Sequence, residues 1–159
     1  MKRVILYLLI ASAGIASTSC KKDTVAATPA PTKTELLTNK NWVLTAETVS
    51  PGINVGGGTV ITDLYGQMQA CSKDDFIRFE APNVYKEDEG ATKCSSSSPQ
   101  TTTGTWVFNA DQTIITTTTQ GSSPQSANVV ELTDTSLKVT FSEALNGVNY
   151  TITATFRKS

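Results

Sequence analysis

Two stretches near the end of the chain decide the fold: residues 136–141 read SLKVTF, and residues 150–156 read YTITATF. In the first, Leu137, Val139 and Phe141 alternate with polar side chains, and in the second apolar side chains alternate with threonines. Successive side chains of a β-strand point to opposite faces, so this alternation predicts strands with one buried and one solvated face. Such one-sided strands are typical of antiparallel sheets.

Upstream, the same type of sequence predicts further strands at residues 42–48, 59–64, 76–80, 84–87, 104–108, 113–118 and 128–132. Turn-forming residues at 81–83, 109–112 and 133–135 separate three pairs of these strands, which indicates sequential hairpins. About eight such strands predict an all-β fold, either an antiparallel up-and-down (meander) barrel or a strongly curved sheet. Closure into a barrel would remove the exposed sheet edges.

Irregular sequence between the predicted strands indicates loops. Residues 50–58 (SPGINVGGG) are expected to form a flexible loop, and the serine-rich residues 95–100 and 121–126 are expected to form polar surface loops. Ahead of the first strand, residues 34–37 predict one helical turn with Thr34 as its N-cap.

Charge and composition exclude some classes of function. The chain has 13 Lys and Arg, 14 Asp and Glu, and no histidine. There is no basic surplus for binding the phosphates of a nucleic acid. Without histidine, the chain lacks the usual general base near pH 7 and the commonest zinc ligand. We therefore do not expect an enzyme, although carboxylates or lysines could still carry out acid–base chemistry.

The N-terminus has the layout of a secretory signal. Lys2 and Arg3 form a short positive region, and an apolar run over residues 4–10 is followed by small residues up to Ser19. The apolar core is shorter than the ~20 residues of a transmembrane helix. Removal of the signal would take Lys2 and Arg3 with it, so the mature chain would carry a mild negative charge.

The end of that signal, residues 17–20 (STSC), resembles the lipobox of bacterial lipoproteins. The resemblance implies that residues 1–19 are removed and that Cys20 carries lipid, which would anchor the chain to a membrane of the cell envelope. The outer membrane is the expected location, and its periplasmic and surface faces both remain open. The alternative is an ordinary secretory signal with an incidental cysteine. Residues 20–33, rich in Ala, Thr and Pro, predict a flexible tether, and residues 34–159 the folded domain.

Cys71 and Cys94 remain as a pair once Cys20 is assigned to the anchor. In an oxidising compartment an even pair of cysteines predicts a disulfide. If the central hairpin turns near Pro82, the two cysteines lie nearly opposite each other at its open end. A redox pair or a metal site is the alternative, but there is no CxxC motif, histidine or third sulfur to support it.

Together these segments resemble the lipocalin-like domain family of small bacterial lipoproteins. The resemblance rests on residues 37–44 (LTNKNWVL), 71–76 (CSKDDF), 88–90 (DEG), 104–108 (GTWVF), 131–139 (ELTDTSLKV) and 150–156 (YTITATF). It implies an eight-stranded meander barrel with an apolar interior, without implying a known ligand. Trp42 is then expected to plug the closed end of the barrel rather than to contact a ligand.

The sequence leaves three functions to consider. The first is binding of a small hydrophobic ligand, with contacts expected from the alternating faces: Val139, Phe141, Tyr150, Ile152 and Phe156. The second is a structural or interaction role in the envelope, with a barrel filled by its own side chains. An enzyme comes last. The acidic central hairpin matches no calcium loop, so neither a metal nor a cofactor is predicted. The sequence identifies no protein partner.

Overall fold

The computed structural model describes residues 29–159. The predicted signal peptide and Cys20 lie outside the described residues. Within the described part, residues Pro31–Ser159 form one compact unit. All the described strand pairings and the described core lie within this unit, so we expect residues 31–159 to fold on their own.

The described residues contain nine strands, one short helix and two 3₁₀ turns. The strands are β1 Asn41–Gly56, β2 Thr59–Asp63, β3 Phe76–Glu80, β4 Val84–Asp88, β5 Thr101–Phe108, β6 Ile114–Thr119, β7 Gln125–Leu132, β8 Ser136–Leu145 and β9 Val148–Lys158. Helix α1 is Lys33–Leu37, and the 3₁₀ turns are Tyr65–Gln67 and Ala70–Ser72.

Antiparallel pairing closes eight of the strands into a barrel. Strands β3 to β9 pair in chain order, and β1 pairs with β3 through its first residues and with β9 along much of its length. Strand β2 is an extra strand that pairs with the far half of β1. The predicted all-β meander barrel is therefore confirmed, and the strongly curved open sheet is not what forms.

The long first strand corrects one expectation. Residues 50–58 were expected to form a loop, yet β1 continues to Gly56, and only Gly57 and Gly58 turn the chain into β2. The extension is held by partners elsewhere in the chain, since Ser50 pairs with Thr151 and Ile53 pairs with Ile61. Strand pairing therefore overrides the local preference of a Gly- and Pro-containing segment.

Strands β8 and β9 also run further than their alternating core. They extend to Leu145 and start at Val148, and a two-residue turn of Asn146 and Gly147 joins them. Both turn residues have positive φ, 52° and 79°. This is the backbone that a tight hairpin turn requires, and Asn-Gly adopts it at low steric cost.

Helix α1 begins one residue earlier than expected and has a different cap. The Thr32 Oγ1 accepts a hydrogen bond from the Glu35 backbone N–H, and the Glu35 carboxylate accepts one from the Thr32 backbone N–H. This reciprocal arrangement is a capping box. Thr32 is therefore the N-cap, and Thr34 lies inside the helix.

Aromatic side chains fill the end of the barrel next to α1, which we call the closed end. Trp42 is fully buried, and its Nε1 donates to the carbonyl of Leu37 at 2.9 Å. The Trp106 Nε1 donates to the carbonyl of Glu80 at 3.0 Å, and its ring meets that of Phe79 edge-on at 5.6 Å. Both indole N–H groups are therefore satisfied although they are buried. Trp42 is thus packed in the core, as expected, but it also lines the smaller of the two cavities in the barrel.

Candidate binding cavity in the barrel

The barrel interior is only partly filled. Beyond the closed end lies a cavity of about 500 Å³, whose wall is drawn from seven strands of the barrel. Its apolar residues include Ile77, Phe79, Ile115, Val139, Phe141 and Phe156. Inward-facing residues of several strands reach it because the side chains alternate across each strand. Its volume lies within the ~300–1,000 Å³ range of small-molecule sites.

A second cavity of about 270 Å³ adjoins the first and extends beneath the loops at the opposite end of the barrel, which we call the open end. Leu44, Ile77, Glu87 and Phe156 line both cavities. The two spaces are therefore neighbours that share this part of their walls.

A disulfide joins two of the segments at the open end. Cys71, in the second 3₁₀ turn, is bonded to Cys94, in the loop between β4 and β5. The predicted bond is thus present. The hairpin register agrees with the expected turn near Pro82, since Phe76 pairs with Asp88. Ser72 and Gln100 come from the two segments that the bond joins, and both line the smaller cavity. The disulfide therefore links the two segments that cover this cavity.

Two aspartates brace the same loop. Asp74 accepts hydrogen bonds from the Ala91 and Thr92 backbone N–H groups and from the Thr92 hydroxyl, at 2.9, 2.8 and 2.7 Å. Asp88 accepts from Gln100 Nε2 and from the Thr101 hydroxyl. These hydrogen bonds, led by the Thr92 and Thr101 hydroxyls, hold the pKa values of both aspartates below their ordinary value. Both carboxylates are therefore occupied in ordering the loop.

The five residues predicted to contact a ligand have different positions. Val139, Phe141 and Phe156 lie in the wall of the larger cavity. Ile152 and Tyr150 pair with Phe141 and Glu143 across the β8–β9 ladder, but they are not among the lining residues of either cavity. The structure thus brings three of the five to one space.

Carboxylates form the polar part of the larger cavity: Glu47 on β1, Glu87 on β4 and Glu143 on β8 line its wall. The Tyr85 hydroxyl donates to Glu87 Oε1 at 3.0 Å, and burial, followed by the Glu87 charge, raises the pKa of Tyr85. Burial also raises the pKa of Glu47. The cavity therefore combines an apolar wall with several acidic groups.

Comparison with known proteins agrees with this geometry. The family described as lipocalin-like domain matches residues 38–139, well over half of the chain. The chain belongs to the lipocalin-like domain family. The comparison with curated proteins gives no match.

Several cavity residues of this lipocalin-like domain were missed from the sequence. Ile77 and Phe79 alternate with charged side chains in FIRFE, so the alternation that identified the β8 and β9 faces would have found them too. Glu47 is different. Between Leu44 and Ala46 the β1–β9 register shifts by one residue, a β-bulge that turns Glu47 inward and Ala46 outward. No sequence signal of the alternating type shows this inversion.

Two negative findings apply to residues 29–159. No group of three or more His, Cys, Asp or Glu side chains there is arranged to hold a metal ion. Helix α1 is much too short to cross a membrane, and the described part has no other helix that would be long and apolar enough.

Proposed function

We propose that this protein is a membrane-anchored lipoprotein of the bacterial cell envelope whose lipocalin-like barrel binds a small hydrophobic or amphipathic molecule. The observation that carries the binding proposal is the cavity of about 500 Å³ inside the barrel. Small-molecule sites are typically concave and mostly apolar with a few polar groups. Membership of the lipocalin-like family supports a binding role, and we propose no catalytic step.

The position of the bulky side chains supports binding over a purely structural barrel. A filled interior would need the large aromatics to crowd together along the axis. Instead Trp42 and Trp106 are buried near α1 and the β3–β4 turn, and the cavity lies beyond them. A barrel of eight strands is just wide enough to hold side chains or one small ligand, and these side chains leave part of it open.

A cavity-filling variant tests the binding proposal. Ala127 lines the larger cavity, so Ala127→Phe should occupy the space that a ligand needs. Ala46→Phe makes the same change on the exposed outer side of β1 and serves as the matched control. Titration with the uncharged fluorescent probe N-phenyl-1-naphthylamine should show saturable binding that Ala127→Phe abolishes and Ala46→Phe preserves. Native mass spectrometry of protein from its own envelope should show a co-purified small molecule.

Thermal unfolding of both variants must accompany the titration, because overpacking costs about 1–3 kcal/mol of stability. If the folded wild-type protein shows neither saturable probe binding nor a co-purified molecule, the structural role becomes the better explanation. If Ala127→Phe remains folded and binds as tightly as the wild type, the site is not inside the barrel.

The anchor is supported by the sequence at Cys20. A single acyl chain holds a protein only marginally in a bilayer, at ~0.8 kcal/mol per buried CH₂, whereas several chains hold it stably. Cys20→Ala should therefore leave the precursor unprocessed, without incorporated fatty acid. Metabolic labelling with palmitate measures this directly, and label that persists in the Cys20→Ala protein would overturn the assignment.

A further inference from the structure

We propose that the preferred ligand of the barrel is an organic cation, namely an amine attached to an apolar body, and that the barrel discriminates against fatty-acid-like anions. This inference rests on the proposed binding function and specifies its ligand class. The site itself is the apolar cavity, and the charged groups around it determine the sign of the ligand. Six carboxylates line the two adjoining cavities, and no Lys or Arg does: Glu47, Asp75, Glu87, Asp88, Glu89 and Glu143. Glu87 and Glu143 are exposed at the rim, and the other four are partly buried.

The basic side chains of the barrel wall lie elsewhere. Arg78 and Lys86 stand on the outer face of β3 and β4, where both form ion pairs with Glu80. Lys40 and Lys158 pair with Asp134 at the closed end. For Arg78 and Lys86 the separation follows from strand alternation, because β3 and β4 point their apolar residues inward and these two basic residues outward.

Two lysines lie near the open end, and each is engaged away from the cavity. The Lys73 Nζ stacks over the Tyr65 ring at 4.7 Å from its centroid. The Lys93 Nζ donates to the carbonyl of Ser98. Neither residue lines either cavity, so neither supplies a positive charge to bind the head group of an anionic ligand.

Some of the lining carboxylates have no partner within the protein. Among residues 29–159, Glu47 and Glu143 take part in no side-chain hydrogen bond or ion pair. In the same part of the chain, Asp75 Oδ1 is the one shielded side-chain oxygen that lacks a hydrogen-bond partner. By contrast, acids outside the cavities, such as Glu80 and Asp134, are paired with basic residues. Glu47, Asp75 Oδ1 and Glu143 thus remain available to a ligand.

The energetics follow from charge and burial. An anionic head group in this interior would lose its hydration and meet only negative charge, while an ammonium group would gain direct partners. Coulomb interactions are stronger beside an apolar wall than in water, because the local dielectric constant is lower. An uncharged head group loses less hydration than an ion and is neither strongly attracted nor strongly repelled by the carboxylates. Affinity should therefore fall from cation to neutral molecule to anion when the apolar body is held constant.

Three probes with one apolar chain test this order: decylammonium, 1-decanol and decanoate. Each is titrated by calorimetry into residues 31–159 at pH 7 and low ionic strength, at concentrations below micelle formation. We expect decylammonium to bind at least tenfold more tightly than decanoate. Glu47→Gln should reduce this ratio at least threefold.

Glu131→Gln is the matched control, because Glu131 is exposed and pairs with Lys138 across the outside of the β7–β8 ladder. It changes the net charge equally and should leave the ratio as in the wild type. If none of the probes binds, the proposed binding function fails. If 1-decanol binds but the two ions bind equally, or decanoate binds better, the binding function stands and the cation preference is overturned. An equal effect of Glu47→Gln and Glu131→Gln would also overturn it, since only net charge would then matter.

Discussion

The two ends of this barrel are built differently. At the closed end, Leu37 and Trp42 are fully buried, and α1, the β3–β4 turn and the chain terminus pack together. At the open end, Glu143 is exposed, the β2–β3 and β4–β5 connections are long, and a disulfide joins these two connections. The cavity lies between these ends. We therefore expect the closed end to contribute more to the folding free energy than the open end.

The largest effect should come from Trp42→Ala. This change removes the largest fully buried side chain and leaves the Leu37 carbonyl without its donor. A buried Trp→Ala change costs about 3–5 kcal/mol. Phe141→Ala, at the half-buried cavity wall, should cost less than half as much. Urea unfolding of both variants checks the comparison, and equal losses would show that the two ends contribute equally.

Removal of the disulfide by Cys71→Ser with Cys94→Ser comes next. The bond spans 23 residues of sequence, and loop-closure entropy predicts a loss of about 3 kcal/mol. The β3–β4 ladder does not contain either cysteine, so the β-sheet circular dichroism should persist. Two free thiols in the denatured, non-reduced wild-type protein would show that the bond does not form.

A smaller effect is expected from Thr32→Ala at the closed end. The change removes one half of the capping box with Glu35, which is worth about 0.5–1 kcal/mol. Thr34→Ala is the control, because the Thr34 side chain does not cap the helix. Chemical unfolding should rank Thr32→Ala as the more damaging of the two, and the opposite order would contradict the assigned cap.

The smallest effect, and one of opposite sign, belongs to Glu47→Gln at the cavity. Burial raises the pKa of Glu47 in the folded state above its ordinary value of 4.5, so its charged form destabilises the fold at neutral pH. Glu47→Gln should therefore stabilise the protein at pH 7, by no more than about 0.5 kcal/mol. The gain should disappear as the pH falls below about 4.5, where both states are protonated. A gain that persists at pH 4 would refute this electrostatic origin.

Alternation and turns were sufficient to predict much of the barrel. The β3–β4 and β8–β9 pairs follow the order expected from their sequences, and the register near Pro82 was accurate enough to place Cys71 opposite Cys94. These features are local, because side-chain alternation and short turns depend on near neighbours in the chain. The continuation of β1 through residues 50–56 was not predictable in this way, since β2 and β9 provide its partners.

The candidate site can likewise be divided into features that the sequence predicted and features that it did not. Val139, Phe141 and Phe156 could be chosen from their alternation alone, and all three line the cavity. The sequence did not show whether the interior would be filled, because packing depends on where the bulky side chains of different strands meet. It also concealed the acidic wall, since simple alternation from Trp42 would place Glu47 outside.

By itself, then, the sequence determined an antiparallel all-β chain with inward apolar faces, a cysteine pair and a plug at Trp42. The tertiary structure alone decided that the barrel closes, that a cavity remains beyond the plug, and that Glu47 faces it. The physical reason is the sequence distance between the residues that interact. The face to which a side chain points is set by its neighbours in sequence. Closure of the barrel instead requires the β1–β9 ladder, and the β-bulge in β1 forms only when β1 pairs with β9.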